Sequence, residues 1–422
     1  MITCCSKRAV YKNWLFSLFI ATALLPACDK MNGAEDFPKS GEQIEKVPLT
    51  KAEQKFVEAG NEFAWTLTAR LWEKNGETGD LFLSPLSVQY ALGMVLNGAE
   101  GAVADKLADV LGYKGTSAVN SFCRKLIEDL PRVDTTVTLS LANAVLVNDK
   151  YKLSGSFSNA MKEYYDAEVA NMSFANPQPV VDRINNWCKE HTYGRIPHIM
   201  NASSVDPNAV SYLMNAIYFN GKWMLPFTIN QTKKEEFKSV SGKTVKVDMM
   251  HNSFSSGSYG ENDKCQMLSL PYGNGKYKMT LYLPKEGVSI KDVIASAGSV
   301  EYDGSRYEVI LSLPKFESDY KVEMSELLFE MGVPSGTYNG MLDNGKYMDP
   351  VVISKVIHRA NITVDETGSE AAAVTVIEMS VLGANLGSSI PAVEFIADHS
   401  FFYTITESTS GVILFCGVYD GD

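Results

Sequence analysis

The sequence predicts one large α+β domain over residues 50–422, and three observations predict it. Strand and helix signals alternate along about 370 residues without a Pro-rich, Gly/Ser-rich or charged run between them, so no linker divides the stretch. No internal repeat is visible in it. Near its end, VDETGSEAAAVTVIEMSVL (364–382) has strand periodicity in loop surroundings. Ser369, Ala371, Ala373, Thr375, Ile377 and Met379 form one face of that pattern. Glu370, Ala372, Val374, Val376 and Glu378 form the other. No proline blocks a backbone ladder between Pro350 and Pro391. Yet turn-prone Asp365-Glu366-Thr367-Gly368 precedes the pattern, and Gly383-Ala384-Asn385-Leu386-Gly387 follows it. Such a segment is written to be a loop in one state and a strand in another.

The N-terminus reads as a targeting segment over residues 1–27. Lys7, Arg8 and Lys12 precede the apolar run LFSLFIATALL (15–25), which is too short to span a bilayer comfortably. Leu25-Pro26-Ala27-Cys28 resembles a bacterial lipoprotein box, which implies lipidation of Cys28 and attachment to the cell envelope, or secretion if the signal is simply cleaved. Residues 28–49 are polar and pattern-free, as expected of a flexible tether. Loss of three basic and no acidic groups with residues 1–27 takes the net charge from −12 to −15, which disfavours nucleic acid as a partner.

The folded part opens with Thr50-Lys51-Ala52-Glu53, a capping box, and Phe56, Phe63 and Leu67 place an apolar stripe on the helix that follows. Cys123, Cys188, Cys265 and Cys416 have neither disulfide-framework nor metal-ligand spacing and read as small buried hydrophobes. No cofactor or metal is expected. The five histidines form no HExxH, and no GxSxG elbow or GxxxxGK[ST] loop occurs, so nothing local supports catalysis. Gly273-Asn274-Gly275 lacks the third glycine of a dinucleotide loop and reads as a hairpin turn.

Several blocks now carry a resemblance. LFLSPLSVQYALGMVLNGAEGAVADKLADVL (81–111), LMNAIYFNGKWMLPF (213–227), ISKVIHRANITVDETGSEAAA (353–373) and FIADHSFFYTITESTSGVILFCGVYDGD (395–422) resemble, in order, conserved segments of serpins. The resemblance implies the serpin fold: a large central mixed sheet, two further sheets, about nine helices and an exposed reactive-centre loop, here about residues 366–394. It identifies Glu366, Gly368, Ser369, Glu370, Ala371, Ala372 and Ala373 with the hinge. Ser84, Ser87, Asn215 and His358 match the shutter beneath the sheet, and Trp223, Lys315 and Glu366 match the breach at its top. The helix around SFCRKLIEDL (121–130) offers only Arg124 and Lys125 against two acids, which argues against control by polyanions.

The resemblance further implies a monomeric inhibitor that traps a serine or cysteine protease as a covalent acyl-enzyme. Residues facing the core of a receiving sheet must be small or apolar, and Ser369, Ala371, Ala373, Thr375 and Ile377 comply. Counting sixteen positions from the hinge glutamate puts the scissile bond at Leu382-Gly383. Met379, Val381 and Leu386 remain alternatives, because the loop is about five residues longer than usual. No Lys or Arg follows Arg359, so a trypsin-like target is excluded and one that cuts after Leu, Met or Val is expected. The competing expectations are a non-inhibitory serpin-fold carrier or chaperone and, more remotely, a surface adhesin.

Overall fold

The computed structural model describes residues 43–302, 304–343, 350–353, 355–369 and 390–421. Eight α-helices and three sheets lie among them. The first helix, Lys51–Lys74, begins on the predicted capping box: Thr50 Oγ1 accepts from Glu53 N–H at 3.2 Å, and the Glu53 carboxylate accepts from Thr50 N–H at 2.7 Å. Phe63 and Leu67 are buried, while Phe56 is half-buried against Tyr113 and Phe122. Arg124 is paired with Glu128 at 2.7 Å and Lys125 with Glu53 at 3.8 Å, so the helix Thr116–Asp129 presents little uncompensated positive charge.

The passage at Ser84 shows how local chemistry sets a helix. Strand Leu81–Leu83 ends there; Ser84 is extended, its hydroxyl caps Ser87 N–H at 3.1 Å, and Pro85 takes the first helical position, where no N–H is needed. The helix Pro85–Leu96 has buried residues on nearly every side because it packs on both the 211–222 and 413–419 strands.

The central sheet has six strands in the order Phe316–Glu323, Ile357–Val364, Gly368–Ser369, Ser211–Lys222, Thr138–Asn148 and Glu168–Met172. A second six-stranded sheet runs Leu81–Leu83, Ile413–Tyr419, Phe401–Glu407, Tyr277–Pro284, Cys265–Tyr272 and Tyr259–Glu261. Its strand 413–419 is buried at every position, which explains its uninterrupted apolar sequence. A third sheet orders Ala392–Ile396, Tyr307–Pro314, Thr244–Ser256 and Lys233–Lys238. Residues 273–276 form the turn between strands 265–272 and 277–284, as expected. The four cysteines are free and buried, and burial pushes the Cys123, Cys188 and Cys416 thiols up to about 12.

The end of the expected tether differs. Residues 43–49 are packed rather than free: Val47 is buried in the main core, with Ile44 and Leu49 against it, and Ile44 N–H donates to Arg132 O at 3.0 Å. Three apolar residues spaced through a polar stretch sufficed to dock it, a pattern too sparse to register as periodicity. Cys28 lies outside the described residues.

Candidate functional site

The site begins where strand 357–364 turns back on itself. Asp365 closes the turn, its carboxylate accepting from Thr367 N–H at 2.8 Å and Gly368 N–H at 3.2 Å. Gly368 and Ser369 then form a short strand between two others. Ser369 pairs with Val364 on one side, and Gly368 and Ser369 pair with Lys222 and Gly221 on the other, antiparallel to both. Gly368 admits no side chain, because a Cβ there would meet Gly221 O at 2.2 Å. Ser369 faces inward as its alternation predicts; it is 1% exposed and its hydroxyl lies 2.5 Å from Tyr272 Oη.

The predicted breach residues converge on this turn. Trp223 N–H donates to Thr367 O at 2.9 Å, its indole Nε1–H donates to Asp365 O at 2.8 Å, and its ring stacks on Tyr272 at 4.4 Å. Lys315 Nζ is 3.0 Å from Glu366 Oε2, and Thr232 Oγ1 donates to Glu366 Oε1 at 2.8 Å. Burial works against the charge of Glu366. Hydrogen bonds from its own backbone N–H, Lys315 and Thr232 outweigh that and hold its carboxyl below the ordinary range. The same bond to Glu366 raises Lys315.

Below Ser369 the sheet changes character. Among the described residues no ladder joins strand 357–364 to strand 211–222 there, although residues 211–220 are paired with 138–147 on the other side. A cleft of about 310 Å³ lies between them, lined by Ser87, Leu92, Ser211, Asn215, Ile357 and His358 among others. A strand continuing from Ser369 would run antiparallel to both walls.

The four predicted shutter residues line up in two groups rather than one. His358 Nε2 accepts from Ser84 N–H at 3.1 Å, and Ser84 in turn caps Ser87, so these three form a chain on one wall. Burial drives the His358 imidazole down to about 4, so it stays neutral and keeps that acceptor. Asn215 is apart from them on the opposite wall. Its amide donates to Asn143 Oδ1 at 2.8 Å and Ala142 O at 3.3 Å, and its own Oδ1 has no partner among the described residues. Asn143 is buried and bonds Tyr165 O at 2.8 Å. The sequence reading missed Asn143, Thr232 and Tyr272. A buried polar residue opposite Asn215 was the available signal for Asn143; nothing local marked the other two. Glu370, Ala371, Ala372, Ala373 and the scissile candidates Leu382, Gly383, Met379, Val381 and Leu386 lie outside the described residues.

Comparison with known proteins agrees with this architecture. Residues 58–420 match the family described as Serpin (serine protease inhibitor). An uncharacterized serpin-like protein of Methanosarcina acetivorans is 32% identical over 378 residues, 85% of this chain and 86% of its own length. The leukocyte elastase inhibitor of Bos taurus is 32% identical over 379 residues, covering 85% of this chain and 97% of its own. The crystal structure of Serpin48, a highly specific serpin of the insect Tenebrio molitor, superposes with a TM-score of 0.76 at 24% identity, over 89% of this chain and 100% of that one. By its match over most of its length and by these relatives, the chain belongs to the serpin family, with the single-domain α+β serpin fold.

Proposed function

We propose that this protein is a suicide inhibitor of serine proteases, and of cysteine proteases where their pockets accept the same bait. Loop insertion is the known behaviour of inhibitory members of this family, so the general mechanism comes from the family. The observation that carries it to this chain is the hinge: Gly368 and Ser369 already form the first residues of a strand between two walls that are unjoined below it among the described residues. A protease attacking the loop forms an acyl-enzyme, with the scissile carbonyl carbon bonded to the nucleophile and the amine of the next residue released. Insertion of the freed segment then drags the protease away. A strand of roughly a dozen residues gains as many hydrogen bonds at about 0.5–1.5 kcal/mol each, on the order of 10 kcal/mol. Displacing a catalytic group by about 1 Å costs roughly a hundredfold in rate, so deacylation stalls.

The bait is Leu382, followed by Gly383, and the target cuts after Leu, Met or Val. The relative named for leukocyte elastase supports an elastase-like class. Cys28 lipidation would hold the monomeric inhibitor at the cell envelope. Mixing the protein with chymotrypsin, elastase, subtilisin, papain and trypsin, followed by denaturing gel electrophoresis, tests the reading. A covalent band at the summed mass with any but trypsin is expected, with mass spectrometry locating the bond. Loop cleavage without such a band for every protease would assign a non-inhibitory role.

A further inference from the structure

The turn 273–276 joins two strands of the second sheet, yet its two ends touch different things. At one end, Tyr272 stacks on Trp223 and reaches Ser369, the first inward-facing residue of the hinge. At the other end, Lys276 Nζ donates to Glu45 O at 2.6 Å and lies 3.3 Å from Glu45 Oε1, in the segment that precedes the folded domain. Between them, Gly273 N–H donates to Lys222 O at 2.9 Å, and Lys222 is the residue paired with Gly368.

The same N-terminal segment grips the linker that holds the turn. Ile44 N–H donates to Arg132 O at 3.0 Å, and Thr135 Oγ1 lies 3.2 Å from Gln43 Oε1. Two residues from Arg132, the fully buried Asp134 accepts Asn274 N–H at 2.9 Å through one carboxylate oxygen and Thr136 through the other. Turn and linker touch closely: Gly273 has φ +50°, and a Cβ there would meet Thr136 Oγ1 at 2.3 Å and Asp134 Oδ2 at 2.5 Å. Val47, 3% exposed with its N–H on Thr409 Oγ1 at 3.4 Å, anchors the far end of the segment.

We propose that residues 43–49 are a built-in clasp on the breach, and that loosening the segment frees the hinge. The clasp acts through the five-residue stretch 272–276, whose opposite ends are bonded to Ser369 and to Glu45. A pull on the chain before residue 43, or a cut within 43–49, withdraws the clasp and weakens the hold on Trp223, Tyr272 and the hinge turn. The proposal deepens the inhibitory reading, because the hinge is where insertion starts, but it rests on the described contacts alone.

The test is amide hydrogen exchange on the full chain carrying Val47→Ser, and separately Lys276→Met. In both variants exchange should speed up about tenfold at Trp223, Phe227 and Asp365, whose N–H groups bond to the hinge turn. Amides of the 233–238/244–249 strand pair should stay unchanged. Unchanged exchange at the three breach amides in both folded variants overturns the clasp, and so does a uniform rise that includes the control pair. Covalent trapping is scored on the same samples. Faster breach exchange with no trapping by any variant or by the parent chain leaves the clasp standing and removes the inhibitory reading.

Discussion

The two ends of the gap in the central sheet are built differently. At the breach, the turn Asp365–Gly368 is held by backbone bonds from Trp223 and Phe227, an indole bond, an ion pair and a hydroxyl from Thr232. At the shutter, two walls face a cleft of about 310 Å³, one carrying the Ser84–His358 chain and the other an Asn215 oxygen with no partner among the described residues. One end is zipped and specific; the other retains unspent hydrogen-bonding capacity. On the proposed inhibitory reading, the difference would give insertion a direction, because a strand can grow only from the zipped end into the side that still offers partners.

Acid should break this contrast most strongly, from the shutter side. The neutral His358 accepts from Ser84 N–H, and its protonated form cannot. Burial lowers its folded pKa from the usual 6.5 to about 4, so its contribution is complete above about pH 6.5 and is lost as pH falls toward 4. The loss amounts to on the order of 3 kcal/mol. Glu366, whose carboxyl lies below its ordinary 4.5, gives way only beneath that value, so the two ends respond in separate windows. Urea midpoints between pH 7 and pH 4 measure it; His358→Gln should flatten the decline, and an unchanged slope would assign it elsewhere.

Gly368→Val attacks the zipped end. Its Cβ would collide with Gly221 O, and overpacking of about 2 kcal/mol shifts the partition roughly thirtyfold from trapping toward plain loop cleavage. The readout is the ratio of covalent complex to cleaved inhibitor on a denaturing gel, and an unaltered ratio would mean that the hinge need not sit between the walls.

Glu366→Gln removes the ion pair but retains an acceptor for Thr232. With the Lys315 side chain 44% exposed, the expected loss is only about 1 kcal/mol, and added salt should reduce the difference from the parent. The smallest effect sharpens the other wall: a double-mutant cycle between Asn143→Ala and Asn215→Ala should show coupling of about 0.5 kcal/mol. Zero coupling would make the Asn143–Asn215 bond incidental.

Part of this is legible in the sequence. The capping box at Thr50 and the inward face of Ser369 are short-range patterns, and both appear as read. What escaped was long-range. Tyr272 lies 97 positions from Ser369, Asn143 lies 72 from Asn215, and Glu45 lies 231 from Lys276. The shutter illustrates the boundary: motif matching identified four polar residues but could not say that Asn215 bonds across to Asn143 while His358 bonds to Ser84.

Local order along the chain therefore settled where the first helix starts, where the turn at 273–276 falls and that Ser369 faces inward, because caps, alternation and the freedom of glycine act over a few positions. Tertiary structure alone decided that the hinge is flanked on both sides, that no ladder among the described residues joins its two walls beneath it, and that a polar N-terminal stretch reaches back to clasp the turn behind it. Those features depend on which distant groups meet. A hydrogen bond between residues far apart in sequence leaves no periodic trace in either segment.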